Sequence, residues 1–204
     1  MITKLKVGVL ISGRGSNLQA LIDATAAPDF PAEIVLVISN KADAYGLTRA
    51  QNAGIKTAVI NHKDFTTRED FDRAMDQKLK QENVQLVCLA GFMRLLSPWF
   101  AEEWRDRLIN IHPSLLPKHK GLNTHEAAIA AGDTEHGATV HFVRPALDDG
   151  PIILQASVPI MPGDTPDTLA ARVLEQEHII YPRAVRLYAE GRVNVIEEKV
   201  FIVN

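Results

Sequence analysis

Nearly continuous apolar runs alternate with segments of helical periodicity along the first half of the chain. Residues 5–11, 33–39 and 84–90 are rich in β-branched residues, as is typical of strands covered on both faces. Between them, apolar side chains recur every three or four positions, as they do in amphipathic helices. This order predicts an α/β fold, a mostly parallel twisted sheet with flanking helices and right-handed crossovers.

Turn residues divide the whole chain into elements in the same way. Strands are predicted over 5–11, 33–39, 57–61, 84–90, 108–112, 138–143 and 152–160, with a hairpin or edge strand over 193–203. Helices are predicted after residue 16, over 43–52, 67–82, 98–106 and 124–131, and from residue 165 onward. The four candidate helix caps are Ser16 with Gln19, Asp43, either Thr66 or Thr67, and Thr165. The strands over 138–143 and 152–160 predict an antiparallel C-terminal extension of the sheet.

A polar pair lies at the end of the fifth predicted strand. Asn110 and His112 are two residues apart, so they share one face while the flanking isoleucines take the other. Pro113 cannot donate to a sheet ladder and ends the strand at about His112. Unpaired buried polar groups cost about 1–3 kcal/mol each. The pair therefore either bonds to nearby backbone or belongs to a site at the strand end.

A glycine-rich turn follows the first strand, with the sequence Ser-Gly-Arg-Gly-Ser-Asn over 12–17. The free N–H groups and positive dipole end of the helix after it suit a phosphate. Glycines that merely permit a tight turn are the alternative, since the motif is neither a Walker motif nor a full Gly-x-Gly-x-x-Gly. Because ligands bind beyond the carboxyl ends of parallel strands, this turn, Gly91–Leu96 and Asn110–His112 are expected to converge.

Composition and charge limit the classes of protein that fit. The chain has 204 residues, 46% hydrophobic and 23% charged, with a net charge of −3 and no basic block. We expect one domain over 1–204, with the phosphate turn in its first half (1–105) and the polar pair in its second (106–204). Nucleic-acid and membrane partners are not expected. The single cysteine, Cys88, and the lack of a signal-like run predict a cytoplasmic protein.

The candidate acid–base groups are His112, His141, Asp148, Asp149 and Glu177. Glu177 interrupts an apolar helix stripe, so it is either solvated at the helix edge or faces a ligand. No spacing typical of a metal site occurs. A histidine beside an asparagine, with a carboxylate nearby, suits acyl transfer through a tetrahedral intermediate. Spacing alone does not tell which carboxylate reaches His112.

Several motifs carry a resemblance to a known family. The segment Asn-Ile-His-Pro-Ser-Leu-Leu-Pro over 110–117, with Leu-Asp-x-Gly-Pro over 147–151, resembles the folate-dependent formyltransferase family. Four further segments are similar to the members that formylate phosphoribosylglycinamide, and they extend the likeness over almost the whole chain. They are residues 12–18, 39–43, 90–96 and 136–137.

The resemblance implies transfer of a formyl group from 10-formyltetrahydrofolate to the glycinamide amine of phosphoribosylglycinamide, in purine synthesis. It implies a mononucleotide-binding, Rossmann-like fold and small-molecule substrates; we expect no metal and a monomer or weak homodimer. The implied catalytic residues are Asn110, His112 and Asp148, with His141 as an accessory. The implied substrate contacts are Gly15, Ser16, Asn17 and Glu177. The implied folate contacts are Arg68, Met93, Arg94, Leu95, Leu96, Asn110, Arg144, Pro145, Ala146, Leu147 and Asp148.

Three positions depart from the family pattern. Asp149 stands where a glycine is expected, so a second carboxylate adjoins Asp148; Arg14 and His119 also differ from the usual residues. Three rival functions remain. A formyltetrahydrofolate hydrolase would use water as the acceptor. A methionyl-tRNA formyltransferase usually adds an RNA-binding domain and a basic surface. A non-catalytic nucleotide-binding protein would not need the asparagine, histidine and aspartate together.

Overall fold

The computed structural model describes residues 3–204, and seven of its strands form one sheet. The strands are β1 (Leu5–Ile11), β2 (Ala32–Ser39), β3 (Thr57–Val59), β4 (Leu86–Leu89), β5 (Leu108–His112), β6 (Glu135–Phe142) and β7 (Ile152–Pro159). A separate antiparallel hairpin follows, made of β8 (Val193–Ile196) and β9 (Lys199–Ile202). The helices are α1 (Ser16–Thr25), α2 (Tyr45–Asn52), α3 (Arg68–Gln81), α4 (Pro98–Glu103), α5 (Thr124–Ala130) and α6 (Pro166–Ala189).

The strand order is β3-β2-β1-β4-β5-β6-β7. Strands β1 to β5 pair in parallel, whereas β6 and β7 run antiparallel. The predicted fold class, including the antiparallel extension and the final hairpin, is therefore confirmed. The chain first adds strands on one side of β1 and then returns to its other side at β4, so a topological switch point lies between β1 and β4.

Two apolar cores cover the two faces of the sheet. One core packs α1, α2 and α6 against the face that carries Ile109 and Ile111. The other packs α3 and α4 against the face that carries Leu108. The alternation predicted for β5 is thus confirmed, and the strand ends at His112 as expected before Pro113. Asn110 and His112 are left on the α3 and α4 side, beyond the apolar core of that face.

Two of the four predicted helix caps are wrong. Ser16 is the first residue of α1, one position too late to cap it, and the N-cap is Gly15 at a left-handed φ of 75°. A Cβ at Gly15 would lie 2.7 Å from Gly46 Cα, so only glycine fits there. Ala44, not Asp43, precedes α2.

The other two caps are confirmed. Thr67 accepts a hydrogen bond from Asp70 N at the start of α3, and Thr165 forms a capping box with Thr168 at the start of α6. Among the helices of residues 3–204, none combines the length and apolarity that crossing a membrane requires.

Candidate active site

A cleft opens at the switch point, where the turn after β1 meets the end of β4. Its walls are the glycine-rich turn over 13–17 and Ala90 with Gly91, and it encloses about 160 Å³. The amide of Met93 also donates to Ser12 Oγ at 2.8 Å, which joins the two segments. The predicted convergence of the turn with residues 91–96 is therefore confirmed. We call residues 12–17 the phosphate turn and residues 91–96 the folate segment, after their expected ligands.

Glu177 of α6 meets the phosphate turn. Its Oε1 accepts a hydrogen bond from Asn17 Nδ2 at 3.1 Å, and only 7% of the residue is exposed. The alternative of a solvated carboxylate at the helix edge is thus wrong. Burial raises the pKa of Glu177, and the hydrogen bond from Asn17 opposes that rise. Asn17 Oδ1 is buried without a protein partner, so an acceptor beside the cleft is available to a ligand donor.

Asn110 and His141 pair across β5 and β6. His141 Nδ1 donates to the carbonyl of Phe142 at 2.9 Å, so Nε2 is the acceptor nitrogen of the neutral ring. Asn110 Nδ2 donates to that nitrogen at 3.3 Å. Burial lowers the pKa of His141 and so favours this neutral form. The arrangement orients the Asn110 amide and leaves its second N–H free for a ligand.

His112 lies between a backbone carbonyl and a carboxylate. Its Nε2 donates to His119 O at 2.9 Å, and its Nδ1 lies 3.6 Å from Asp148 Oδ2. The side chains of His112 and Asp148 are 7% and 8% exposed. Asp148 Oδ2 also accepts the amide of Gly121 at 2.8 Å, and its Oδ1 is 3.9 Å from His141 Nε2. The structure thus brings the predicted asparagine, histidine and aspartate together with His141.

The two adjacent aspartates occupy different environments. Asp148 points inward to His112, with a left-handed φ of 49° that aspartate adopts more readily than most residues. The side chain of Asp149 is 59% exposed and forms an ion pair with Lys120. That ion pair lowers the pKa of Asp149. Of the two carboxylates left open by the sequence, the geometry favours Asp148 as the partner of His112.

The loop that carries the His119 carbonyl is itself anchored. His119 has a φ of 52°, and its Nε2 donates to Asp133 Oδ2 at 2.7 Å. Hydrogen bonds from His119 and Lys118 lower the pKa of Asp133. Ser114 Oγ donates to Lys118 O at 2.7 Å on the other side of the loop. Sequence reasoning marked His119 only as a departure from the family pattern and missed Asp133, since fourteen positions separate the two.

The predicted folate contacts include exposed apolar side chains and two arginines that are not fully buried, Arg68 and Arg94. Met93, Leu95 and Leu147 are 63%, 57% and 53% exposed, as is expected of apolar side chains that a ligand covers. The charges of Arg68 and Arg94 both act on the buried carboxyl of Asp72, where they oppose the rise in pKa caused by burial. Both arginines therefore lie on the α3 side of the sheet, within electrostatic range of Asp72.

The side chain of Arg144, another predicted folate contact, points toward the β8–β9 hairpin. Its guanidinium bonds to Asp106 Oδ1 at 2.7 Å and to Glu198 Oε2 at 2.6 Å, at the turn of the β8–β9 hairpin. Its neighbours Pro145 and Ala146 are exposed in the same loop. Any contact of Arg144 with a ligand would therefore come from its backbone.

Metal ligands and a cysteine nucleophile have no geometric support. Within residues 3–204, no three His, Cys, Asp or Glu side chains are grouped as metal ligands. His125 Nδ1 and His136 Nε2 lie 3.1 Å apart, and burial lowers the pKa of His136 to about 4. Cys88 is buried, which raises its thiol pKa to about 12 and disfavours the thiolate.

Fold and site geometry agree with a comparison to known families. The model of the formyl transferase family matches residues 5–185. The chain therefore belongs to the formyl transferase family. Within this family of transferases, it groups with the phosphoribosylglycinamide formyltransferases, on the following similarities.

The phosphoribosylglycinamide formyltransferase of Haemophilus influenzae is 49% identical over 197 residues, which cover 97% of this chain and 93% of that protein. The glycinamide ribonucleotide transformylase 1 structure from Symbiobacterium toebii has a TM-score of 0.96 and 45% identity, covering 98% of this chain and 95% of that one. The trifunctional purine biosynthetic protein adenosine-3 of Drosophila pseudoobscura is 55% identical over 195 residues. That alignment covers 95% of this chain but only 14% of the trifunctional protein.

Proposed function

We propose that this enzyme transfers the formyl group of 10-formyltetrahydrofolate to the glycinamide amine of phosphoribosylglycinamide, a step of purine synthesis. The observation that carries the proposal is the grouping of Asn110, His112 and Asp148 at the sheet edge that also holds the phosphate turn. Relatives named for this reaction support it.

The phosphate turn is the proposed seat of the substrate phosphate. Gly15, Ser16 and Asn17 line the cleft at the N-terminus of α1, where free N–H groups and the helix dipole favour an anion. Glu177 and Asn17 would then meet the hydroxyl and amine groups of the substrate next to the phosphate. The folate would cover Met93–Leu96 and the loop over 144–148.

The chemistry needs no covalent intermediate on the enzyme. The substrate amine attacks the formyl carbon, and the resulting tetrahedral oxyanion accepts hydrogen bonds from the free N–H of Asn110 and from protonated His112. The Asp148 carboxylate lies 3.6 Å from the imidazole Nδ1 and would balance a positive charge on the ring during the reaction. When the intermediate collapses, the C–N bond to tetrahydrofolate breaks. His112 gives its proton to the departing N10, and the proton that the attacking amine loses restores the His112–Asp148 pair.

His141 has a supporting part in this proposal. Because its neutral ring accepts from Asn110, the asparagine side chain presents N–H rather than oxygen to the reacting carbonyl. The proposal also retains a cytoplasmic location, a monomer or weak homodimer, one domain, and no metal or nucleic-acid partner.

An absorbance assay for the folate product tests the proposal against its nearest rival. Purified enzyme is mixed with 10-formyltetrahydrofolate, with and without phosphoribosylglycinamide. We expect turnover only when the amine is present. Turnover at a similar rate without the amine would instead identify a hydrolase, and binding of either ligand without turnover would identify a non-catalytic protein.

A further inference from the structure

Two buried polar residues outside the reacting group join the walls of the cleft. Ser12 directly follows β1 and Asn40 directly follows β2, and these residues are 4% and 2% exposed. Ser12 Oγ donates to Asn40 Oδ1 at 2.6 Å and accepts the amide of Met93 at 2.8 Å. The serine thus connects the phosphate turn, of which it is the first residue, to the folate segment.

The direction of each hydrogen bond follows from the donors available. The amide of Met93 can only donate, so the Ser12 hydroxyl accepts its hydrogen bond and donates a second hydrogen bond to Asn40. Asn40 must then present its oxygen to Ser12, and its Nδ2 lies 3.3 Å from His62 Nδ1. Partial burial lowers the pKa of His62, which keeps an acceptor lone pair on that ring. The Met93 amide, the Ser12 hydroxyl and the Asn40 amide group thus each have a partner, which favours a fixed geometry.

The location of this hydrogen-bond network in the fold gives it its importance. Ser12 stands beside the β1–β4 switch point, where Leu10 pairs with Leu89 and Ala90 N bonds to Leu10 O. Beyond that last backbone bond, the Ser12 hydroxyl is the next hydrogen bond between the two cleft walls. The distance between the walls sets how far apart two bound reactants lie, and small misplacements of reactants reduce rates steeply.

We propose that Ser12 and Asn40 are positioning residues that hold the folate segment at a fixed distance from the phosphate turn. The inference rests on the proposed function, because it takes residues 93–96 as folate contacts. It also gives a role to Asn40 of the Ser-Asn-Lys-Ala-Asp segment over 39–43, which neither catalysis nor direct binding supplies.

Calorimetric titration of Ser12→Ala with tetrahydrofolate, and separately with phosphoribosylglycinamide, tests the proposal. Without the hydroxyl, the Met93 amide loses its acceptor and the folate segment is released. We expect the Kd for tetrahydrofolate to rise about tenfold. The Kd for phosphoribosylglycinamide should stay within about threefold, because the turn binds phosphate through backbone groups. Asn40→Ala breaks the same chain from the other side and should give the same split.

Two controls separate positioning from general loosening. Ser39→Ala removes a fully buried hydroxyl at the end of β2 that bonds only within its own loop, to Lys41. It should lower the melting temperature but leave the Kd for tetrahydrofolate within about twofold. Ser12→Thr keeps the hydroxyl and should restore most of the folate affinity lost in Ser12→Ala.

Three results would overturn the inference. They are an unchanged Kd for tetrahydrofolate in folded Ser12→Ala and Asn40→Ala, an equal rise of both Kd values, and an equal loss of folate affinity in Ser39→Ala. Each leaves the proposed function intact if the wild-type enzyme binds both ligands and turns over. A wild-type enzyme that binds neither ligand would refute the proposed function itself, and the inference with it.

Discussion

The phosphate side and the catalytic side of the candidate active site have different structural bases. The phosphate side is mostly backbone, and its glycine turn connects β1 directly to α1. The catalytic side consists of the side chains of Asn110, His112 and His141 on two antiparallel strands, completed by Asp148 from a loop. Backbone N–H groups carry no titratable proton, whereas a histidine with a carboxylate can exchange one. Binding and proton transfer are therefore separated within one site. A variant on one side should change either the substrate affinity or the rate of formyl transfer and leave the other unchanged.

The largest expected effect is on the catalytic side. We expect His112→Ala to reduce the rate of formyl transfer about thousandfold, because it removes both a proton carrier and an oxyanion donor. Both Kd values should change little. Steady-state rates, calorimetric titrations and the melting temperature measure these quantities. A folded His112→Ala enzyme with more than about a tenth of the wild-type rate would contradict the mechanism.

On the phosphate side, an added charge should abolish tight binding. Ser16→Glu places a carboxylate in the cleft, and we expect the Kd for phosphoribosylglycinamide to rise about a hundredfold through charge repulsion. The Kd for tetrahydrofolate should be unchanged. Ala26→Glu adds the same charge just beyond the other end of α1 and serves as the control. Equal affinity for phosphoribosylglycinamide in Ser16→Glu and wild type would refute the phosphate assignment.

Glu177 is a buried titratable group on the phosphate side. We expect Glu177→Gln to raise the Kd for phosphoribosylglycinamide about tenfold, since a charged acceptor is replaced by a neutral one. Burial raises the folded-state pKa of Glu177 above its usual 4.5, so the ionised side chain opposes folding once the pH exceeds that usual value. Glu177→Gln should therefore unfold at higher urea than wild type at pH 8.

That stability advantage should disappear as the pH falls below about 4.5, where Glu177 is protonated in both folded and unfolded chains. Urea unfolding at pH 8 and pH 4 measures it. A destabilised Glu177→Gln at pH 8 would show that the ionised carboxylate stabilises the fold instead.

A smaller effect is expected from the loop that holds His112. Asp133→Asn weakens the bond that fixes His119, whose carbonyl accepts the Nε2 proton of His112. We expect kcat to fall about fivefold, with both KM values unchanged. Lys118→Gln keeps the bond between His119 and Asp133 and is the matched control. If kcat falls equally in both variants, the loss reflects general loosening of the loop.

Local pattern was enough to predict most of the fold. The apolar runs located the seven strands of the sheet, and Pro113 correctly ended β5. Polar alternation placed Asn110 and His112 on one face because a strand has a period of two. The cap at Ser16 failed because Gly15, which has a left-handed φ and packs closely against Gly46, occupies the N-cap, and a propensity rule does not include that tertiary contact.

The parts that sequence could not predict depend on loops of unusual backbone conformation. The family motif favours Asp148 over Asp149, but the inward direction of the Asp148 side chain depends on a positive φ at residue 148, which periodicity does not encode. Periodicity also does not predict the hydrogen bond between His119 and Asp133, or the one between Arg144 and Glu198 of the distant hairpin. These contacts join residues far apart in sequence, and tertiary structure alone brings them together.

In the proposed mechanism, one inward carboxylate, paired with His112, completes the reacting group. The most direct measurement is the rate of tetrahydrofolate formation by Asp148→Asn and Asp149→Asn, two identical changes at adjacent positions. We predict a loss of at least about a hundredfold for Asp148→Asn and a rate within about twofold of wild type for Asp149→Asn, with both proteins folded. Equal rates in the two variants, or a greater loss in Asp149→Asn, would contradict the account.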